Sequence, residues 1–133
     1  MTKQPNTARV DRIAQYVNSP LLTHRVRFED QLTARIDGNY GVYRTTASLK
    51  NQYEDCTCPA EMRPCKHILA LRETWEVNAG SFFNLDDLIA QLPKQSKQEL
   101  IVLIGKMIMH SPAVLELLGV PGFDVAEGDE NWE

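Results

Sequence analysis

The 133-residue chain has only three cysteines, Cys56, Cys58 and Cys65. An odd count gathered in one stretch excludes a disulfide framework of the small secreted kind. Reduced thiols are expected instead, in the cytoplasm, or in the nucleus if the source is eukaryotic. Long apolar runs are also missing. The longest, Leu100 to Ile104, is far too short to cross a bilayer, so no membrane partner is expected. The opening Met1-Thr2-Lys3-Gln4-Pro5 lacks an apolar signal region. Positive charge is scarce: the net charge is −4, made of +2 over residues 1–23, 0 over 24–76 and −6 over 77–133. That is not the electrostatic footprint of a generic DNA binder. There is no internal repeat and no low-complexity tract. At 43% apolar residues, the length fits one domain, or one small domain with appendages.

What is present is concentrated in Cys56-Thr57-Cys58-Pro59-Ala60-Glu61-Met62-Arg63-Pro64-Cys65-Lys66-His67, the pattern C-x-C-x6-C-x-H. Three thiolates and one imidazole complete a four-coordinate donor set for zinc. No position remains for water or substrate, so one structural zinc ion on Cys56, Cys58, Cys65 and His67 is expected. Residues two apart on an extended backbone point to the same side, so Cys56 and Cys58 suit a strand end. Pro59 ends that strand. Pro64 suits the first turn of a helix, which places Cys65 and His67 at the helix N-terminus. There the dipole and free N–H groups favour thiolate.

The motif and the following Ile68-Leu69-Ala70-Leu71 resemble the SWIM-type zinc finger, a family named for chromatin-remodelling ATPases, plant transposases and a kinase. Upstream, Ala34-Arg35-Ile36-Asp37-Gly38 and Val42-Tyr43-Arg44 are similar to that family's hairpin, so the likeness extends over about residues 26–76. The resemblance implies a ββα unit around the metal. The fold class is therefore α+β, a zinc-stabilised ββα finger with an N-terminal helix and a C-terminal helical extension. The expected organisation is a leader and helix over 1–25, the finger over 26–78, the helical extension over 81–120, and an acidic, disordered tail over 121–133 with Trp132 exposed.

Local patterns fill in this outline. Residues 1–6 read as a disordered leader. Val10, Ile13, Ala14 and Val17 recur at helical spacing, from Thr7 to Asn18, and Ser19-Pro20 stops that helix. Period-two alternation predicts one strand over Arg25–Asp37, a turn over Asp37–Gly41, and a returning strand over Val42–Leu49. The ligand helix is expected over Pro64–Glu76, burying Ile68, Leu71 and Trp75 and turning Lys66, Ala70 and Glu73 away. Asn84 caps a helix over Leu85–Leu92. Ser96-Lys97-Gln98-Glu99 is a capping box that opens a helix through His110. Ser111-Pro112 starts a last helix, and Gly119 ends it.

Between Leu100 and Met109 the only charge is Lys106. A helix apolar nearly all round is expected at a centre, between the finger and its helical neighbours. The alternative leaves one face, with Ile101, Val102, Ile108, Leu117 and Leu118, for another protein or a second copy.

Enzymatic readings are weaker. CDGSH-type iron–sulfur proteins place three residues between the last cysteine and the histidine; here only Lys66 intervenes. Every thiol is committed to metal, which leaves none for redox catalysis. His24 and His110 lack a metal-spaced partner. The functional expectation is a non-enzymatic adaptor that binds a protein partner or larger complex, with a homodimer as a further form. By resemblance, its setting is nucleic-acid associated. The alternative is a finger that binds DNA or RNA directly through Arg27, Arg35, Arg44, Arg63 and Lys66.

Overall fold

The computed structural model describes residues 5–123. The expected disorder of the tail, with Trp132, falls almost wholly outside them. The chain divides into two compact units, Met1–Asp86 and Asp87–Glu133.

The first unit opens with α1, Pro5–Ala14, which takes in two residues that the sequence reading leaves to the leader. A turn follows through Asn18, whose φ of 50° is a conformation asparagine tolerates. Four strands come next: β1 (Leu22–Phe28), β2 (Gln31–Gly38), β3 (Gly41–Ser48) and β4 (Glu54–Cys56). They run antiparallel in sequence order. A two-residue strand, β5 (Phe83–Asn84), joins β1 in parallel, giving the order β4-β3-β2-β1-β5. The unit is mixed α and β, and its sheet is wider than the hairpin of a bare ββα finger.

The single strand expected over Arg25–Asp37 is in fact the β1–β2 hairpin, turning at Glu29-Asp30. Neither glycine nor asparagine marks this turn. It is held from elsewhere: the Glu29 N–H donates to both carboxylate oxygens of Asp86, at 3.1 and 3.2 Å, with Glu29 at a φ of 52°. The register also slips between Thr23 and Val26, where an extra residue of β1 bulges out. The β2–β3 turn falls where glycines and asparagine predict it, with Gly38 opposite Gly41. A side chain at Gly38 would come within 2.8 Å of the Tyr43 ring, so that position needs glycine.

Helix α2, Lys66–Asn78, packs across the sheet, and α1 packs on α2. It starts two residues later than expected, with Cys65 as its N-cap and Pro64 left in the preceding loop. Its buried residues are His67, Ile68, Ala70, Leu71 and Thr74. Ala70 therefore faces inward, against expectation, and Trp75 lies partly buried at the margin against Phe82. The reason is the pairing of α2 with both sheet and α1, which widens the buried stripe toward small residues. The main core joins Tyr16, Leu22, Leu32, Ile36 and Leu71; a second cluster joins Tyr43, the three cysteines and Ile68.

Helix α3 (Leu85–Gln91) begins as predicted, with the Asp86 N–H donating to the Asn84 side chain at 3.0 Å. In the second unit, α4 (Lys97–His110) opens with both bonds of its capping box: Glu99 N–H to Ser96 Oγ at 3.1 Å, and Ser96 N–H to Glu99 Oε1 at 2.7 Å. The last helical segment, Pro112–Leu118, is a 3-10 helix ending at Gly119, φ 77°. The expectation of an α4 buried on all sides is not met: none of its residues is buried. Within its unit α4 packs on the 112–118 segment, which is too short to cover it. Among the described residues, no helix is long and apolar enough to cross a membrane.

Candidate metal centre

Each donor is brought in by a different piece of local structure. Cys56 is the last residue of β4. Cys58 lies just beyond the strand, because Thr57 is tied to β3: its N–H donates to the Arg44 carbonyl at 3.1 Å, and its hydroxyl accepts the Arg44 N–H at 3.0 Å. Cys65 caps α2 and His67 sits in its first turn. All four side chains are buried, and their ligand atoms lie within 4.8 Å of one another. Zinc bonds of about 2.0–2.3 Å in a tetrahedron set the donors roughly 3.5–3.8 Å apart. His67 Nδ1 stands 3.7 Å from Cys56 Sγ and 4.0 Å from Cys65 Sγ, close to that spacing.

The fit to zinc rests on the donors themselves. Soft thiolates with one imidazole, gathered in a closed cluster, suit four-coordinate zinc. The cluster would hold the ion through Cys56, Cys58, Cys65 and His67 and leave no open position for a substrate. The Cys65 thiol is held down at about 3, by the hydrogen bond from Cys56 first, against the pull of burial. Cys56, as the other half of that bond, is pushed well up, with burial adding to it. Cys56 and Cys65 thus share a proton in the S–H···S bond, and a bound zinc would take its place.

The His67 ring is packed between two tyrosines. Tyr16 meets it edge-on at 5.0 Å between centroids, and Tyr43 lies tilted at 5.5 Å. His67 Nε2 and the Tyr16 hydroxyl are both buried without a protein partner. A metal held on Nδ1, which faces the thiols, would leave Nε2 as the nitrogen that carries the ring proton. Burial raises the Tyr16 hydroxyl, with Tyr43 adding to it; burial also raises Tyr43, with Cys58 and Cys56 adding. Both phenols therefore stay neutral beside the thiolates. Tyr16 was not legible as a neighbour of the site, since it comes from outside the motif.

The five basic candidates are not brought together. Arg35 and Arg44 stand directly opposite each other on β2 and β3, on the sheet face away from α2. Arg27 is paired with Leu32, on the other face, because the turn at Glu29-Asp30 sets Phe28 opposite Gln31 and folds Arg27 back onto a neighbouring strand. It is bound to Asp86 and Asn84, each at 3.3 Å. The single strand expected over Arg25–Asp37 would have put Arg27 and Arg35 on one face by alternation; the hairpin separates them. Arg63 is turned in toward the cysteines. Lys66 lies over the Tyr16 ring, 5.8 Å from its centroid. In the second unit Ile101, Val102, Leu117 and Leu118 are exposed and Ile108 is half-buried.

No curated protein and no solved structure matches the chain. Residues 54–73, which span β4, the ligand loop and the first two turns of α2, match the SWIM zinc finger family, a family of binding modules. The matched segment contains all four buried donors, and the chain carries a SWIM zinc finger that holds one structural zinc ion.

Proposed function

We propose that this chain is a non-enzymatic adaptor, in which the zinc-braced unit fixes a platform and the 97–118 region binds a protein partner. The observation that carries this reading is α4. From Leu100 to Met109 its side chains are almost all apolar, yet Ile101, Ile104 and Met107 are each more than half exposed. Together with the 112–118 segment it lines an apolar groove of about 570 Å³, between Ile104, Met107, Val114 and Leu118. Apolar surface of this kind marks association rather than catalysis. The partner's setting, a nucleic-acid-associated complex inside the cell, is taken from the family and from the reduced thiols. The test is an Ile101→Glu, Leu117→Glu double variant of the full chain, compared with wild type by light scattering and by crosslinking in source cells. The variant should lose at least tenfold of one specific wild-type association, self or hetero, with unchanged zinc content. Retention of every wild-type association would overturn the reading.

A second reading is favoured by one observation, the cross-strand pairing of Arg35 with Arg44 on an open sheet face. Two guanidiniums at that spacing suit contacts to successive phosphates. Direct DNA or RNA binding would then use this face, without Arg27 or Arg63.

A further inference from the structure

Arg63 lies in the loop between the two ligand pairs, where its charge suggests a solvent-facing contact. Its side chain instead folds back on the Cys-x-Cys turn. One terminal nitrogen donates to the main-chain carbonyls of Cys56 and Cys58, at 3.2 and 3.0 Å. The other terminal nitrogen donates to Cys58 Sγ at 3.5 Å. The guanidinium thus spans both ends of the turn that sets the spacing of two ligands. Only a planar, forked donor can do this; an ammonium supplies the charge without the fork.

The electrostatics call for the same residue. Zinc with three thiolates and a neutral imidazole has a net charge of −1. That charge is buried, and a buried charge needs a partner. Lys66, one residue from two ligands, points over the Tyr16 ring instead. Among the described residues, Arg63 is the cation hydrogen-bonded to a ligand sulfur. We infer that Arg63 is a positioning residue of the zinc centre: its fork latches the Cys56–Cys58 turn through both carbonyls, and its charge neutralises the thiolate cluster. It is therefore withdrawn from any nucleic-acid or partner surface.

The test uses the full zinc-loaded chain and three variants, Arg63→Gln, Arg63→Lys and the neighbouring-charge control Lys66→Gln. Zinc affinity is measured by competition with a chromophoric chelator, and thiol reactivity by alkylation rate. Arg63→Gln should bind zinc about 10–100-fold more weakly, the usual effect of removing an outer-sphere partner. Arg63→Lys should fall between that variant and wild type, and Lys66→Gln should stay within about twofold of wild type. With cobalt(II) in place of zinc, the sulfur-to-metal charge-transfer band should move to lower energy in Arg63→Gln, because an N–H donor to Cys58 Sγ is gone. Loss of packing alone would leave that band in place. Should Arg63→Gln fail to fold even with excess zinc, Arg63→Lys decides: intermediate affinity supports the latch, and wild-type affinity overturns it. Wild-type affinity and alkylation rate in Arg63→Gln overturn it too, as does an equal loss in Lys66→Gln.

Discussion

Replacing Cys65 by serine removes one of four zinc donors at the point where α2 begins. Cys65 is 1% exposed and is the N-cap residue of that helix. A serine hydroxyl is neutral at pH 7 and is a poor zinc ligand. Structural zinc in small fingers contributes about 10–16 kcal/mol of apparent binding free energy. Shared over four donors, one ligand accounts for about 2.5–4 kcal/mol, or roughly 70–1,000-fold in affinity. At fixed free zinc the same loss appears in folding stability, because the metal binds the native chain. Whole domains are stable by only about 5–15 kcal/mol. The cluster at this end of the sheet is Tyr43, Ile68 and three metal ligands, so little apolar contact remains to hold it without zinc. Helix α2 links that cluster to the main core, through Ile68 on one side and Ala70 and Leu71 on the other. The zinc loop and β4 should therefore lose hydrogen-exchange protection first, and α2 and β3 should follow. Native mass spectrometry reports the zinc, and thermal melts at several zinc concentrations report the coupling. Chelated wild type should melt like Cys65→Ser at low zinc. A metal-free wild-type chain that melts at the zinc-loaded midpoint would refute the reasoning.

Two further outcomes follow from named contacts. Thr74 is fully buried, accepts the Asn18 N–H at 2.9 Å and donates to the Ala70 carbonyl at 2.7 Å; Thr74→Val keeps the shape, strands the Asn18 amide and should cost about 1–3 kcal/mol by urea unfolding, while Thr74→Ser should recover most of it. If the chain binds nucleic acid through Arg35 and Arg44, titration of a labelled oligonucleotide should give a log–log salt slope of about −2, a loss of about 16-fold between 50 and 200 mM salt. Arg35→Ala with Arg44→Ala should flatten that slope by about two; no binding at the lower salt removes this surface from consideration.

What the sequence determined by itself was the short-range part. The ligand set was readable because C-x-C-x6-C-x-H packs four donors into twelve residues, so no distant contact is needed to find them. The Ser96–Glu99 capping box, the Asn84 cap and the Gly38–Gly41 turn were readable for the same reason: each is satisfied within a few residues. Tertiary structure decided the rest. The Glu29-Asp30 turn exists because Asp86, 57 residues away, binds the Glu29 amide. The chain reversal at Glu29-Asp30 put Arg27 on a separate strand opposite Leu32, off the face of Arg35, a change that period-two counting along one strand cannot register. Ala70 became core and Tyr16 came to lie against His67 because α1 docks on α2. Arg63 looked like a surface charge until the loop closed and turned it onto the carbonyls of Cys56 and Cys58. Local chemistry names the donors. Only the packed chain determines which neighbours hold them in place, because those partners are set by distance in space and not along the sequence.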